Sequence, residues 1–293
     1  MSKAKAIWEL TRLEHGLMLC VAILIGALVA SQELPDALKF FLAFMTALLI
    51  EASTFALNDY YDYEIDKANG RTDRPLVRGE LTTSDALMVF AVLFPVGIAC
   101  SYFVNMTCFL IAVISAVLAV AYDAVLKRYK PIGNLYIAYS MAIPFVFGAT
   151  ATLETDALTF DIPFVIIVAA AVAFLAGVGR EAMKDIQDVV GDKRMGVRSV
   201  ATIAGVRAAS AYAAVFYIAA MALAFVPFLF SSFDVYYLNV YYIVPVLMTD
   251  VMLIYICFAL LSGSSEEYRT LRKLSLAALF VGLLGFLAGA FLG

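Results

Sequence analysis

Long apolar stretches separated by short polar ones run along the whole chain. Nine of them approach or reach the roughly 20 residues a helix needs to cross the hydrocarbon core of a bilayer. They cover about 16–31, 38–57, 86–104, 106–125, 133–152, 163–181, 208–230, 236–261 and 272–292. Pro35, Pro131, Pro163 and the pair Ser231–Ser232 fall in the gaps between them and punctuate the pattern. Pro95, Pro144, Pro227 and Pro245 fall inside spans and predict kinks whose freed carbonyls neighbouring helices must satisfy. The pattern predicts an all-α polytopic membrane protein of one domain over 1–293. Its nine transmembrane helices form a bundle around an apolar chamber, with cap segments after spans 2 and 6.

Composition agrees. The 293 residues are 64% hydrophobic and only 15% charged, with a mean hydropathy of +0.93. Soluble domains carry about a quarter charged residues, and no soluble interior could hide this much apolar surface. The net charge of −4 and the lack of a basic tail argue against a nucleic-acid partner, and no feature calls for an obligate protein partner. Cys20, Cys100, Cys108 and Cys257 sit in apolar stretches without a C-x-x-C pair, so they read as packing residues rather than disulfides or metal ligands. With His15 the sole histidine, a histidine-built metal site is excluded. The run from Leu17 to Ala30 lacks a small-residue cleavage site and leads straight into a second span, so it reads as a helix rather than a cleaved signal.

The placement of positive charge tests the count. Nineteen of the 20 Lys and Arg precede span 1 or follow spans 2, 4, 6 and 8; only Lys39 lies near an odd-numbered connection. One missed or extra helix would scramble that alternation. By the positive-inside rule the N-terminus is cytoplasmic and the C-terminus outside, in the cell membrane. The long polar connections 58–85 and 182–207 both lie on the cytoplasmic side.

Each of these connections opens on an acidic patch. Asn58, Asp62 and Asp66 recur at i, i+4 and i+8 in the continuation of span 2, and Asp185, Asp188 and Asp192 at i, i+3 and i+7 in the continuation of span 6. On a helix each set shares one face. Arg71, Asp73, Arg74 and Pro75 follow the first, and Lys193, Arg194 and Arg198 the second, so the halves form a faint internal repeat of the kind that places a site at its interface. Stacked carboxylates repel one another. Ordinary solvated span ends account for Glu64, Glu80, Asp85, Glu266 and Glu267, but poorly for two one-faced triplets at matching places. A cation held by all-oxygen ligands accounts for them better, and hard Mg2+ is the natural choice. Carboxylates, Mg2+ and nearby Arg or Lys together make a diphosphate clamp. Tyr122 and Lys127, at the end of span 4, are in position to hold diphosphate oxygens, although a snorkelling Lys would look the same. Glu51 and Asp250 lie deeper, where a carboxyl must face the bundle interior or a wet cavity.

These features resemble the UbiA-type intramembrane prenyltransferase superfamily. The resemblance is carried by Asn58-x-x-x-Asp62-x-x-x-Asp66, Asp73-Arg74-Pro75, the segment Tyr122 to Lys127, and Arg180-Glu181-x-x-Lys184-Asp185-x-x-Asp188-x-x-x-Asp192. It covers nearly the whole chain, with one departure: Tyr122 and Lys127 stand one residue further apart than the family's usual Tyr-x-x-x-Lys. It implies Mg2+-dependent transfer of a prenyl group from a prenyl diphosphate to a lipophilic acceptor within the membrane. In that role the two patches bind the metal, two ions bridging the diphosphate. Arg71, Arg74, Lys127, Lys184 and Arg198, with Arg12 and Tyr122, hold the diphosphate. Lys127 also assists catalysis, and Asp66 or Asp185 takes the proton. The segments Asp66–Gly79 and Arg180–Asp192 look most like the digeranylgeranylglyceryl phosphate synthase branch, which joins a geranylgeranyl chain to geranylgeranylglyceryl phosphate in ether-lipid synthesis. Quinone-forming members, which prenylate an aromatic ring, share most of the same residues and stay as an alternative. A secondary transporter would place its polar site near mid-membrane, whereas these patches crowd one edge. A CDP-alcohol phosphotransferase would need an Asp-Gly-x-x-Ala-Arg signature that is lacking. A purely structural scaffold predicts that Asp62→Asn and Asp188→Asn leave substrate binding intact.

Overall fold

The structure is a computed structural model that describes residues 3–68, 70–154, 158, 162–263 and 268–292. Twelve α-helices account for most of them: α1 (Lys3–Thr11), α2 (Gly16–Ser31), α3 (Ala37–Ala68), α4 (Thr83–Tyr102), α5 (Met106–Ala124), α6 (Lys130–Ala151), α7 (Phe164–Arg194), α8 (Val200–Ile203), α9 (Val206–Ala224), α10 (Val226–Leu229), α11 (Val240–Ser262) and α12 (Tyr268–Leu292). Among the described residues nine helical segments are long and apolar enough to cross a membrane, and they coincide with the nine expected spans. Large apolar side chains face outward along them; on α11, Leu247, Val251, Ile254, Phe258 and Leu261 form an exposed stripe at helical spacing, as a lipid-facing surface requires.

Two expectations need correcting. Pro227 does not kink a continuous helix. It stands in the first turn of the separate α10, where its missing N–H costs nothing. The eighth span begins at Val240 rather than 236, because Asp234 and Leu238 take positive φ of 40° and 51°. Asn239 then opens α11, its side chain accepting from the Tyr241 amide at 2.8 Å as an N-cap.

Length decides where the acidic patches sit. The 32 residues of α3 and 31 of α7 reach about 48 and 46 Å at 1.5 Å per residue, against a hydrocarbon core of about 30 Å. The last turns of both helices therefore stand clear of the apolar layer, and they carry the patches. A cap braces them. Leu10 of α1, Ala56 of α3, Leu76 and Leu81 of the following segment, and Ala86 of α4 bury one another. Opposite, the segment before α8 is strapped to the turn after α5 by the Lys130 amide on the Arg198 carbonyl (2.8 Å) and the Arg198 amide on the Arg128 carbonyl (3.2 Å).

Within the bundle, α2 and α6 approach closely at Gly26 and Gly148. A Cβ on Gly148 would lie 2.0 Å from the Ile23 carbonyl oxygen, and one on Gly26 would lie 2.1 Å from that of Phe145. Small residues permit such backbone contact between membrane helices. The far end of the core is closed by Tyr236, Tyr242 and Phe286, packed edge to face. The two hydroxyls are satisfied by the carbonyls of Phe286 (3.0 Å) and Ala224 (2.7 Å).

Candidate active site

The protruding ends of α3 and α7 face each other across the mouth of a chamber of about 920 Å3. Apolar side chains such as Ile50, Ile111, Phe147, Leu253 and Leu283 line its interior. Tyr122 and Tyr136 stack at its mouth with ring centroids 5.0 Å apart, beside Asn58 and Asp123. Deeper in the wall, Asp250 is buried, with one carboxyl oxygen lacking a hydrogen-bond partner.

Most residues of the two patches are engaged by other side chains. On α3, the Asn58 amide donates to Asp123 at 2.7 Å. Asp62 accepts from Lys127 at 2.5 Å. Asp66 lies 3.5 Å from Arg74 and 3.8 Å from Arg71. On α7, Asp185 is gripped by Lys130 at 3.0 Å and by the Asn134 amide at 2.7 Å, while Lys130 also reaches Asp192 at 2.7 Å. Asp188 is exposed and borders a smaller pocket with Lys127, Lys130 and Lys184. Lys184 pairs with the buried Glu181 at 2.6 Å. Arg198 contributes its backbone to the strap while its side chain is exposed.

The turn after α3 adds a rigid basic element. Arg71 donates twice to Asp73, both contacts at 2.8 Å. This fork holds the Asp73 carboxyl down to about 2 and raises the Arg71 guanidinium. Arg12 lies between α1 and α2, paired with Asp59 at 2.8 Å and 4.4 Å over the Phe55 ring. Burial, then the neighbouring Arg74 charge, lowers its pKa.

The structure thus brings Asn58, Asp62, Asp66, Lys127, Arg71 and Arg74 to one rim, with Arg12 beside them, and Asp185, Asp188, Asp192 and Lys184 to the other. Tyr122 borders both the chamber and the smaller pocket. Sequence reasoning passed over Asp59, Asp123, Lys130 and Asn134. Asp59 was recoverable: Asp59, Asp62 and Asp66 stand at i, i+3 and i+7, the spacing of Asp185, Asp188 and Asp192. Its side chain is 2% exposed and holds Arg12 and, at 3.2 Å, Arg74. Nothing local marks Asn134 or Asp123, because their partners lie 51 and 65 residues away.

The donor set fits Mg2+. It is all oxygen, anionic and partly open. Among the described residues no three His, Cys, Asp or Glu side chains converge on one point; the carboxylates are spread along the two helix ends and held by Lys and Arg.

The profile of the UbiA prenyltransferase family matches residues 19–279, and the chain belongs to that family. A digeranylgeranylglyceryl phosphate synthase from Archaeoglobus fulgidus is 44% identical over 98% of this chain and 96% of its own length. A solved structure giving insights into digeranylgeranylglyceryl phosphate synthase in membranes superposes with a TM-score of 0.79, at 29% identity and full coverage of both chains. A UbiA homologue from Archaeoglobus fulgidus bound to DMAPP and Mg2+ shares the fold, with a TM-score of 0.65 at 16% identity over 97% of this chain and 99% of that one.

Proposed function

We propose that this chain transfers a geranylgeranyl group from geranylgeranyl diphosphate to the free hydroxyl of geranylgeranylglyceryl phosphate, acting as one transmembrane domain. The observation that carries this reading is the pair of acidic helix ends facing each other over a large apolar chamber. The 44% identity to a digeranylgeranylglyceryl phosphate synthase over nearly the full length supports the choice of acceptor.

In this mechanism the diphosphate sits between the rims and the prenyl chain runs into the chamber. Asn58, Asp62 and Asp66 on one side, and Asp185, Asp188 and Asp192 on the other, would hold two Mg2+ ions, which supply Lewis-acid neutralisation of the leaving group. Arg71, Arg74, Lys127 and Lys184, with Tyr122 and Arg12 behind them and Arg198 from the second cap, orient the phosphate oxygens. The allylic C1–O bond breaks, its electron pair leaves with the diphosphate, and the allylic cation is shielded from water by the apolar walls. The stacked Tyr122 and Tyr136 rings at the mouth present π-faces that favour positive charge. The acceptor hydroxyl oxygen bonds to C1, and its proton passes to Asp66 or Asp185. Both are paired with cations before substrate binds. The N-terminus and both caps lie on the cytoplasmic side of the cell membrane and the C-terminus outside, as the charge asymmetry requires.

The test is a chromatographic screen of purified protein with geranylgeranyl diphosphate, Mg2+ and several acceptors, following pyrophosphate release. The expected product is digeranylgeranylglyceryl phosphate. Prenylation of an aromatic acid instead would refute the choice of acceptor. No pyrophosphate release with any acceptor, together with counterflow in liposomes, would refute the prenyl-transfer reading.

A further inference from the structure

A second set of cations borders the chamber away from the first acidic patch. Arg180 and Lys184 stand one turn apart on α7 and share the buried Glu181, at 3.2 and 2.6 Å. Arg272, near the start of α12, lines the same chamber and donates to the uncharged Gln187 amide at 3.2 Å. Helices α7, α9 and α12 meet here around Tyr217. Tyr217 packs in one buried cluster with Ala182 of α7 and Leu271 and Ala278 of α12, and Ser275 donates to the Arg272 carbonyl at 2.9 Å. Arg180 Nε and the Tyr217 hydroxyl are both buried without a hydrogen-bond partner.

The charge balance separates this set from the diphosphate machinery. Arg71, Arg74, Lys127 and Lys130 each meet at least one aspartate. Arg12, on the opposite rim with Glu14 nearby, is matched to Asp59. Lys184 is matched to Glu181 at 2.6 Å, whereas Arg180 makes a longer 3.2 Å contact to the same carboxylate and Arg272 meets only the uncharged Gln187. Among the described residues one carboxylate therefore stands against these three cations, at the head of a wall formed by Met221, Leu253, Leu276 and Leu279 of α9, α11 and α12. A phosphomonoester carries close to two negative charges at neutral pH, and guanidinium forks match its oxygens.

We propose that Arg180 and Arg272 bind the phosphomonoester of the prenyl acceptor, whose own chain lies along α9, α11 and α12, leaving the acidic rims and Lys184 to the diphosphate. This rests on the acceptor assigned above. It makes the two guanidiniums a specificity device: an acceptor without phosphate leaves their charge unmatched and binds poorly.

The experiment measures steady-state kinetics for both substrates in an uncharged detergent. Arg272→Gln raises KM for geranylgeranylglyceryl phosphate by roughly 10- to 100-fold, as loss of a charge-assisted contact implies. The KM for geranylgeranyl diphosphate stays within about twofold, and Arg272→Lys recovers part of the loss. Arg180→Gln behaves alike, so a single poorly folded variant does not decide the outcome. With dephosphorylated acceptor, wild type and Arg272→Gln have equal activity. An unchanged acceptor KM in both variants, a matching rise in the diphosphate KM, or an equal loss on both acceptors overturns the proposal. A KM difference that appears only when phosphatidate is added assigns the cations to a lipid headgroup and likewise overturns it. Failure of the wild type to prenylate the glyceryl acceptor at all is the separate failure of the functional reading.

Discussion

The contact between α2 and α6 makes an unusually sharp prediction about sign. Glycine inside a helix is about 1 kcal/mol less favourable than alanine, so Gly148→Ala judged by propensity alone stabilises the protein. The structure predicts the reverse. The new Cβ would stand 2.0 Å from the Ile23 carbonyl oxygen and 2.8 Å from the Ile23 Cα. Both are backbone atoms, so no side-chain rotation relieves the clash and the helices must part by about 1 Å. Overpacking of this kind costs about 1–3 kcal/mol and occasionally more, enough to offset the propensity gain. In a protein of this size that lowers the unfolding midpoint by about 2–4 °C per kcal/mol. Thermal unfolding in detergent is the assay, with Gly191→Ala as control, since a Cβ at Gly191 of α7 meets nothing within 4 Å and its midpoint should hold or rise. Gly26→Ala, whose Cβ would stand 2.1 Å from the Phe145 oxygen, should destabilise like Gly148→Ala. The double variant should cost less than the sum, because one separation relieves both clashes. If Gly148→Ala raises the midpoint as Gly191→Ala does, the close approach of α2 and α6 is refuted.

Four further outcomes are expected. Asp62→Asn and Asp188→Asn each lower Mg2+-dependent turnover at least 100-fold while leaving the unfolding midpoint within a few degrees; retained turnover would count against the metal role of the rims. Lys130→Met strands the buried Asp185 with only Asn134, and because Lys130 is itself 21% exposed the loss falls at or below the roughly 3 kcal/mol lower bound for a buried pair; an unchanged midpoint sinks the idea. Asp250→Leu removes a buried carboxyl oxygen without a partner and should stabilise by about 1–3 kcal/mol, read as a higher midpoint. Asp73, held at about 2 by Arg71, has a folded pKa below its unfolded value near 4. Its contribution is therefore complete above about pH 4 and fades as pH falls toward 2. The pair is 46% and 59% exposed, which screens it to under about 1 kcal/mol. Amide protection of the 70–80 segment, taken relative to the intrinsic exchange rate at each pH, should fall between pH 4 and 2 in wild type but show no such step in Asp73→Asn.

The nine spans, the shared side of the polar connections and the two acidic triplets were legible along the chain, because hydrophobic length, positive charge and helical spacing are local properties. Apolar length does not fix helix continuity past residues 57 and 181; the structure supplies it in α3 and α7. The partners of the carboxylates were another matter. Lys130 counted in the sequence only as a positive-inside residue, yet it reaches two aspartates on α7 because the strap to Arg198 turns the start of α6 toward that helix.

The sequence by itself therefore determined that this is a nine-span membrane protein with an oxygen-rich site at one edge. Apolar length, charge asymmetry and residue spacing act over a few turns and need no knowledge of the neighbours. Only the tertiary structure decided which cation faces which carboxylate, that α2 and α6 touch at two glycines, and that Arg272 of α12 lines the same chamber as Arg180 and Lys184 of α7. Those are distances between helices far apart in the chain, fixed by how the whole bundle packs.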